Sequence, residues 1–356
     1  MEQAPTRLWF VDNLRVLLTV LVVLHHVAVT YSGIPLWYYT EQPANGIVAL
    51  VLTVFLLVNQ AWFMGAFFLL AGYFTPGSYE RKSPRLFLRD RLIRLGIPLV
   101  VFYFVVNPIL YLGSHQSYLH TIGSGPLWFV LALLVFDVSY AGIRHATRNR
   151  VLRRPQPLTY PKVIGFALAL ALATYAWRAV VSMDVFVPII DFPTSGYLPQ
   201  YVSFFVVGTV AYRNGWLSAI AGRMGKVGLG LAIGATIVFL PVAIIGGPDK
   251  WMGHGTVTSL SYALWDSTFA VGLVLALLML FRRRYDAPGP LRRYLSNHAF
   301  TVYVIHALLV IAAGHALSVL DVPTLAKVAI AAIVVLPACF LLAAPVRRLP
   351  GVRRVL

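Results

Sequence analysis

The chain has 356 residues, 59% of them hydrophobic and only 12% charged, about half the charged share of a water-soluble domain. That composition excludes a soluble globular protein and reads as an integral membrane protein. A net charge of +17 invites a nucleic-acid reading, and the single cysteine, Cys339, excludes an internal disulfide and a cysteine metal cluster.

Apolar runs of bilayer-crossing length predict an all-α polytopic protein with about ten transmembrane helices. They lie at 14–31, 47–74, 96–112, 126–143, 163–182, 198–212, 227–246, 262–281, 299–318 and 325–344. The first is unusual. "DNLRVLLTVLVVLHHVAVT", residues 12–30, carries Asp12, Arg15, His25 and His26. An Arg or Asp at the centre of a span costs about 2.5 kcal/mol or more, so ionisable groups here are candidates for function. Eleven residues of helix turn through about 1100°, three turns plus about 20°. Arg15 and His26 therefore share a face, about 16 Å apart along the axis. His25 lies about 80° off that line, while Asp12, Thr19 and Thr30 fall near it. A polar track starting at one end suits a ligand whose charged head stays there while its reactive end goes deep. The plainer alternative makes His26 a structural hydrogen bond to a neighbouring helix.

The second run is either one long tilted helix or a helix broken near Asn59 and Gln60. Before the third, "RLFLRDRLIRLGIP" (85–98) places Arg91 and Arg94 three apart on one face. Guanidinium pairs hold phosphate bidentately, although basic residues here also suit membrane topology. The fourth run holds Trp128 and Asp137, and the fifth holds Arg178. From the cytoplasmic ends of their spans, Asp137 lies about 9 Å deep and Arg178 about 22 Å, so the two are not expected to pair. Arg178 reads as a grip on an acidic acceptor or acyl carboxylate, or as a structural partner of Asp184 or Asp191. The ninth, "SNHAFTVYVIHALLV", puts His306 at a depth like that of His26, with Tyr303 one turn earlier. Adjacent His25 and His26 cannot share a ligand-facing side, so no metal site is expected.

The outer connections, at 32–46, 113–125, 183–197, 247–261 and 319–324, are short. One membrane-embedded domain, 1–356, is therefore expected to supply all the chemistry, with no soluble extracytoplasmic domain. Of the 29 Lys and Arg, all but Arg178, Lys250 and Lys327 fall on the side of the termini. This positive-inside pattern puts both termini in the cytoplasm, and the basic excess then needs no nucleic acid.

Several segments together resemble a known family. They are Arg15 and His26 ten residues apart, Arg91-x-x-Arg94, "FFLLAGYF" (67–74), "PLWFVLALL" (126–134), "SFFVVGTVAYRNG" (203–215) and "TVYVIHALLV" (301–310). In order and spacing they resemble the membrane-bound acyltransferase-3 family over nearly the whole chain. "FVDNLR" and "MGAFFLLAGYF" are most similar to the branch that succinylates periplasmic glucans. The resemblance implies an acyl-CoA donor (acetyl-CoA or succinyl-CoA), no metal, and a hydroxyl acceptor, usually carbohydrate, modified across the bacterial inner membrane. It implies His26 as the essential histidine and Arg15, Arg91 and Arg94 as functional.

The expected catalytic set is His26, Asp12, Tyr303 and His306. Arg15, Arg91 and Arg94 bind the donor; Arg178 and Trp128 bind substrate. Neutral His26 takes the acceptor proton as general base, and Tyr303 or His306 donates to the oxyanion or relays a proton; an acyl-histidine is the minor alternative. His26 and His306 should face one cavity, open beside Arg91 and Arg94 and crossing the protein through a narrow waist at His26. Alternatives are acylation of a small metabolite such as a macrolide, and export of a sugar-containing substrate, for which no matched pair of broken helices is visible.

Overall fold

The apolar runs fold as helices, and polar residues at their ends say where each begins. A computed structural model describes residues 7–35, 37–43, 45–147, 155–187, 191–220 and 222–356. Its helices are α1 (Trp9–Thr30), α2 (Gly46–Gln60), α3 (Phe63–Glu80), α4 (Pro84–Leu110), α5 (Gly125–Ala146), α6 (Tyr160–Val180), α7 (Leu198–Asn214), α8 (Gly222–Ile244), α9 (Val257–Arg284), α10 (Pro290–Ser318) and α11 (Thr324–Arg348). The Asn45 side chain accepts from the Val48 N–H, Ser83 from Leu86 and Thr256 from Ser259, satisfying first-turn donors. The fold is all-α; among the described residues the β-pairing is one isolated bridge, Val187 with Phe192.

Among the described residues, nine helical segments are long and apolar enough to cross a membrane, α2 and α3 counting as one. The difference from ten is α7, whose 17 residues cover about 26 Å, slightly under the ~30 Å of a bilayer core. The long second run is broken as Asn59 and Gln60 suggest: α2 ends at Gln60 and α3 starts at Phe63. Gln200 Nε2 donates to the Ala61 carbonyl at 2.8 Å, supplying a partner to backbone freed by the break. The third helix starts at Pro84, well before the expected 96. Its first turns are amphipathic, with Phe87 fully buried among charged neighbours, which an apolar run does not reveal. Farther along, α4 relaxes into π-helix at Leu92–Gly96 and Phe102–Val106. Pro98 and Pro108 follow within two residues and have no N–H to donate to the preceding turn.

Two glycines of the quoted motifs decide how closely α3 and α7 approach. A Cβ on Gly72 would lie 2.1 Å from the Phe205 carbonyl oxygen, and one on Gly208 would lie 2.2 Å from that of Leu69. Small residues permit this backbone contact in an apolar solvent, where association relies on packing.

Arg178 pairs with neither Asp184 nor Asp191. Its Nη2 meets Asp266 on α9 at 2.6 Å, both side chains at most 1% exposed, and its Nε donates to the Gly196 carbonyl at 3.0 Å. The guanidinium lies over Tyr197, 4.5 Å from the ring centre. Asp266 is a third intramembrane charge beside Asp137 and Arg178, and the partner that sequence reasoning overlooked.

Candidate active site

The site begins where α1 starts. Asp12 accepts from Arg7 Nε at 2.6 Å and lies 3.5 Å from Arg15 Nη2. Asn13 Nδ2 donates to the Tyr285 carbonyl at 2.6 Å, and the Phe10 N–H donates to Asp286 at 3.2 Å. The start of α1 is thereby tied to the α9–α10 connection. Asp12 stands fourteen residues from His26, about 21 Å along the helix. That separation makes it a partner of arginines, out of reach of any chemistry at His26.

A cavity of about 520 Å³ opens beside it, a size suited to a small-molecule ligand. Its described lining includes seven arginines, Arg7, Arg15, Arg91, Arg94, Arg347, Arg353 and Arg354, against one acidic side chain, Asp137. Arg91 Nε lies 3.0 Å from Asp137 Oδ2, and Thr75 donates to Asp137 Oδ1 at 2.8 Å. The fully buried Asp137 thus holds Arg91 at the cavity wall; it is indeed not paired with Arg178. Thr19 lines the cavity below Arg15, so this part of the polar stripe belongs to its wall. Phe129, Val130, Leu133 and Tyr303 bring the lining to an apolar inner end.

His306 lies one turn beyond Tyr303, and neither it nor His26 lines this cavity, so the cavity beside Arg91 and Arg94 is not the shared, protein-crossing one expected. The two histidines do meet. His306 Nε2 lies 3.1 Å from His26 Nδ1, with ring centres 4.8 Å apart. Helices α1 and α10 are therefore neighbours, a fact that spacing along the chain does not contain. Both histidines stand deep: seventeen residues from the start of α1 and sixteen from the start of α10, about 25 Å in each case.

Hydrogen-bond partners assign the tautomers. His306 Nδ1 faces the Tyr303 carbonyl at 2.6 Å, and a carbonyl only accepts, so Nδ1 carries the proton and Nε2 the lone pair. His26 Nδ1 then faces two acceptors, the Val22 carbonyl at 2.9 Å and His306 Nε2 at 3.1 Å, and must also be protonated. The lone pair of His26 therefore sits on Nε2, which has no hydrogen-bond partner among the described residues. His25 is turned away. Its Nδ1 accepts from Asn59 Nδ2 at 3.2 Å, and its ring stacks on Phe63, centres 5.2 Å apart.

Trp37 completes this end and was absent from the sequence expectations. It stacks on His26 with centres 4.2 Å apart, and its Nε1 is buried without a hydrogen-bond partner. The 31–45 connection that carries it is anchored: Glu41 pairs with Lys327 at 2.9 Å, and Tyr38 donates to Asn107. A lone Trp in "PLWYYT" carries no periodicity, so only the folded contact identifies it.

The remaining expected residues are placed differently. The Tyr303 hydroxyl donates to the Pro126 carbonyl, which uses its one proton. Trp128 is 8% exposed, packed with Phe192 and Tyr201 at 5.1 and 5.4 Å between ring centres, and is not on the cavity wall. The turn leading into Trp128 is fixed by Asp191, which accepts from the Gly125 N–H at 3.0 Å; burial raises the Asp191 carboxyl above the usual range. Among the described residues no group of three or more His, Cys, Asp and Glu could hold a metal.

A family model described as an acyltransferase domain matches residues 8–344. The chain is also similar to proteins named glucans biosynthesis protein C from Salmonella schwarzengrund, Salmonella paratyphi B and Salmonella heidelberg. Each is 24% identical, with 85% of both chains covered.

Proposed function

The chain belongs to the acyltransferase-domain family, and from that premise we propose that it moves an acyl group from acyl-CoA to a carbohydrate hydroxyl, with His26 as general base. The observation that carries this reading is the unpartnered Nε2 of His26, held in the basic tautomer by His306 and Val22. The relatives' printed name supports a glucan as acceptor.

In the proposed step, the acceptor oxygen attacks the thioester carbonyl carbon while its proton passes to His26 Nε2. Collapse of the tetrahedral intermediate breaks the C–S bond, and the departing sulfur takes that proton back. His306 presents a lone pair to His26 Nδ1–H, so it orients the base and stabilises the imidazolium, as a carboxylate does in a hydrolytic triad. His306 Nε2 and the Tyr303 hydroxyl are not free to donate to an oxyanion. The unpaired Trp37 N–H is, and it takes that role here. Arg15, Arg91 and Arg94 hold the phosphates of CoA at the mouth, and the apolar inner end receives its arm. In this reading the mouth faces the cytoplasm, which the distribution of basic residues supports, in the inner membrane of a bacterium. Asp12 and Asp137 set the arginines; Arg178 keeps its structural partner.

The test uses purified protein with acetyl-CoA or succinyl-CoA and a β-glucan, reading thiol release and ester formation by mass spectrometry. His26→Ala should lose about 10²–10⁴-fold in rate, and His25→Ala less than about tenfold, with both variants purifying normally. Equal losses would refute the assignment of the base. Absence of thioester consumption by the wild type would refute the donor.

A further inference from the structure

The cavity has two basic walls, and neither touches the His26–His306 pair. Arg91 and Arg94 belong to α4. Arg347, Arg353 and Arg354 come from the end of α11 and the short turn Val352–Arg354 that follows it. These three make no ion pair among the described residues. Arg347 Nη1 donates to the Asn297 carbonyl on α10, which turns its side chain along that wall, and its Nε is buried without a partner. Arg353 and Arg354 are exposed at the rim. On the other wall Arg91 is partly neutralised by Asp137, and Arg15 by Asp12. Three guanidiniums without an ion pair therefore stand together on the α11 side of the cavity.

We propose that Arg347, Arg353 and Arg354 form a second phosphate subsite, which makes the cavity selective for a donor with a phosphate separate from its diphosphate. This rests on the acyl-CoA reading above. In CoA the diphosphate leads directly into the pantetheine arm, and the arm has to follow the stripe below Arg15. The diphosphate then falls to Arg15, Arg91 and Arg94, nearest the stripe. The ribose 3′-phosphate points back toward the rim, where the second group of guanidiniums waits. Arginine suits this role because its planar fork binds phosphate bidentately and stays charged at any working pH.

The experiment measures binding of CoA and of 3′-dephospho-CoA by calorimetry, to the wild type and to a variant combining Arg353→Gln and Arg354→Gln. Both substitutions are at exposed positions, so the fold is retained. The wild type should bind CoA at least tenfold more tightly than 3′-dephospho-CoA. The variant should lose that preference by weakening CoA alone, and adding Arg347→Gln should not restore it. A preference unchanged in the variant, or a wild type that binds both ligands equally, overturns the subsite and leaves the donor reading intact. A wild type that binds neither overturns the donor reading itself.

Discussion

A histidine serves as a base only through a nitrogen that holds no proton for another bond. The carbonyl of Val22 and the lone pair of His306 claim Nδ1 of His26, and that leaves Nε2 for chemistry. Trp37 matters for a related reason: a buried donor without a partner costs about 1–3 kcal/mol, and such a group next to a base invites a ligand acceptor. Trp37→Phe keeps an aromatic ring on His26 and removes the N–H. It is expected to lower kcat about 10²-fold with little change in KM, the usual loss for one oxyanion donor. A Phe variant with unchanged kcat would assign Trp37 to packing alone. The histidine face was legible in the sequence because helix periodicity ties Arg15 to His26. The tautomers were not, since they depend on His306 and so on which helices are neighbours. Trp37 was not either, because a connection has no period to read.

Among the helices, charge placement sorts function from architecture. Arg178 and Asp266 are both buried and hydrogen-bonded, and each would be left as an uncompensated charge by removal of the other. Breaking such a pair costs about 3–5 kcal/mol, whereas replacing both members by apolar residues is often neutral. Arg178→Met alone should therefore lower the melting temperature and the folded yield sharply. The double variant Arg178→Met with Asp266→Leu should recover most of both. A single variant of normal stability that fails only in acceptor KM would return Arg178 to the substrate. The sequence made Arg178 conspicuous but misdirected its partner, since loop residues Asp184 and Asp191 are near in sequence and Asp266 is near only in space. The helix break after Gln60 was one of the two readings that the second run allowed, marked by its amides. The early start of α4 was not, because its charged first turns conceal the buried Phe87.

At the scale of the whole molecule, a basic mouth and the buried His26 are separated by half the length of α1. From Arg15 to His26 is about 16 Å, the span that the proposed acyl-CoA donor has to bridge between its charged head and its thioester. The deep end is then nearer the face opposite the termini, where the Trp37 connection covers it. The proposed transfer therefore sets donor and acceptor on opposite faces of the membrane. The most direct measurement places the protein in vesicles with the arginine cavity outward, acyl-CoA outside and a glucan trapped within. Transfer across the bilayer predicts His26-dependent acylation of the trapped glucan while CoA thiol appears outside. Acylation that occurs only when donor and glucan share the outer compartment would contradict it.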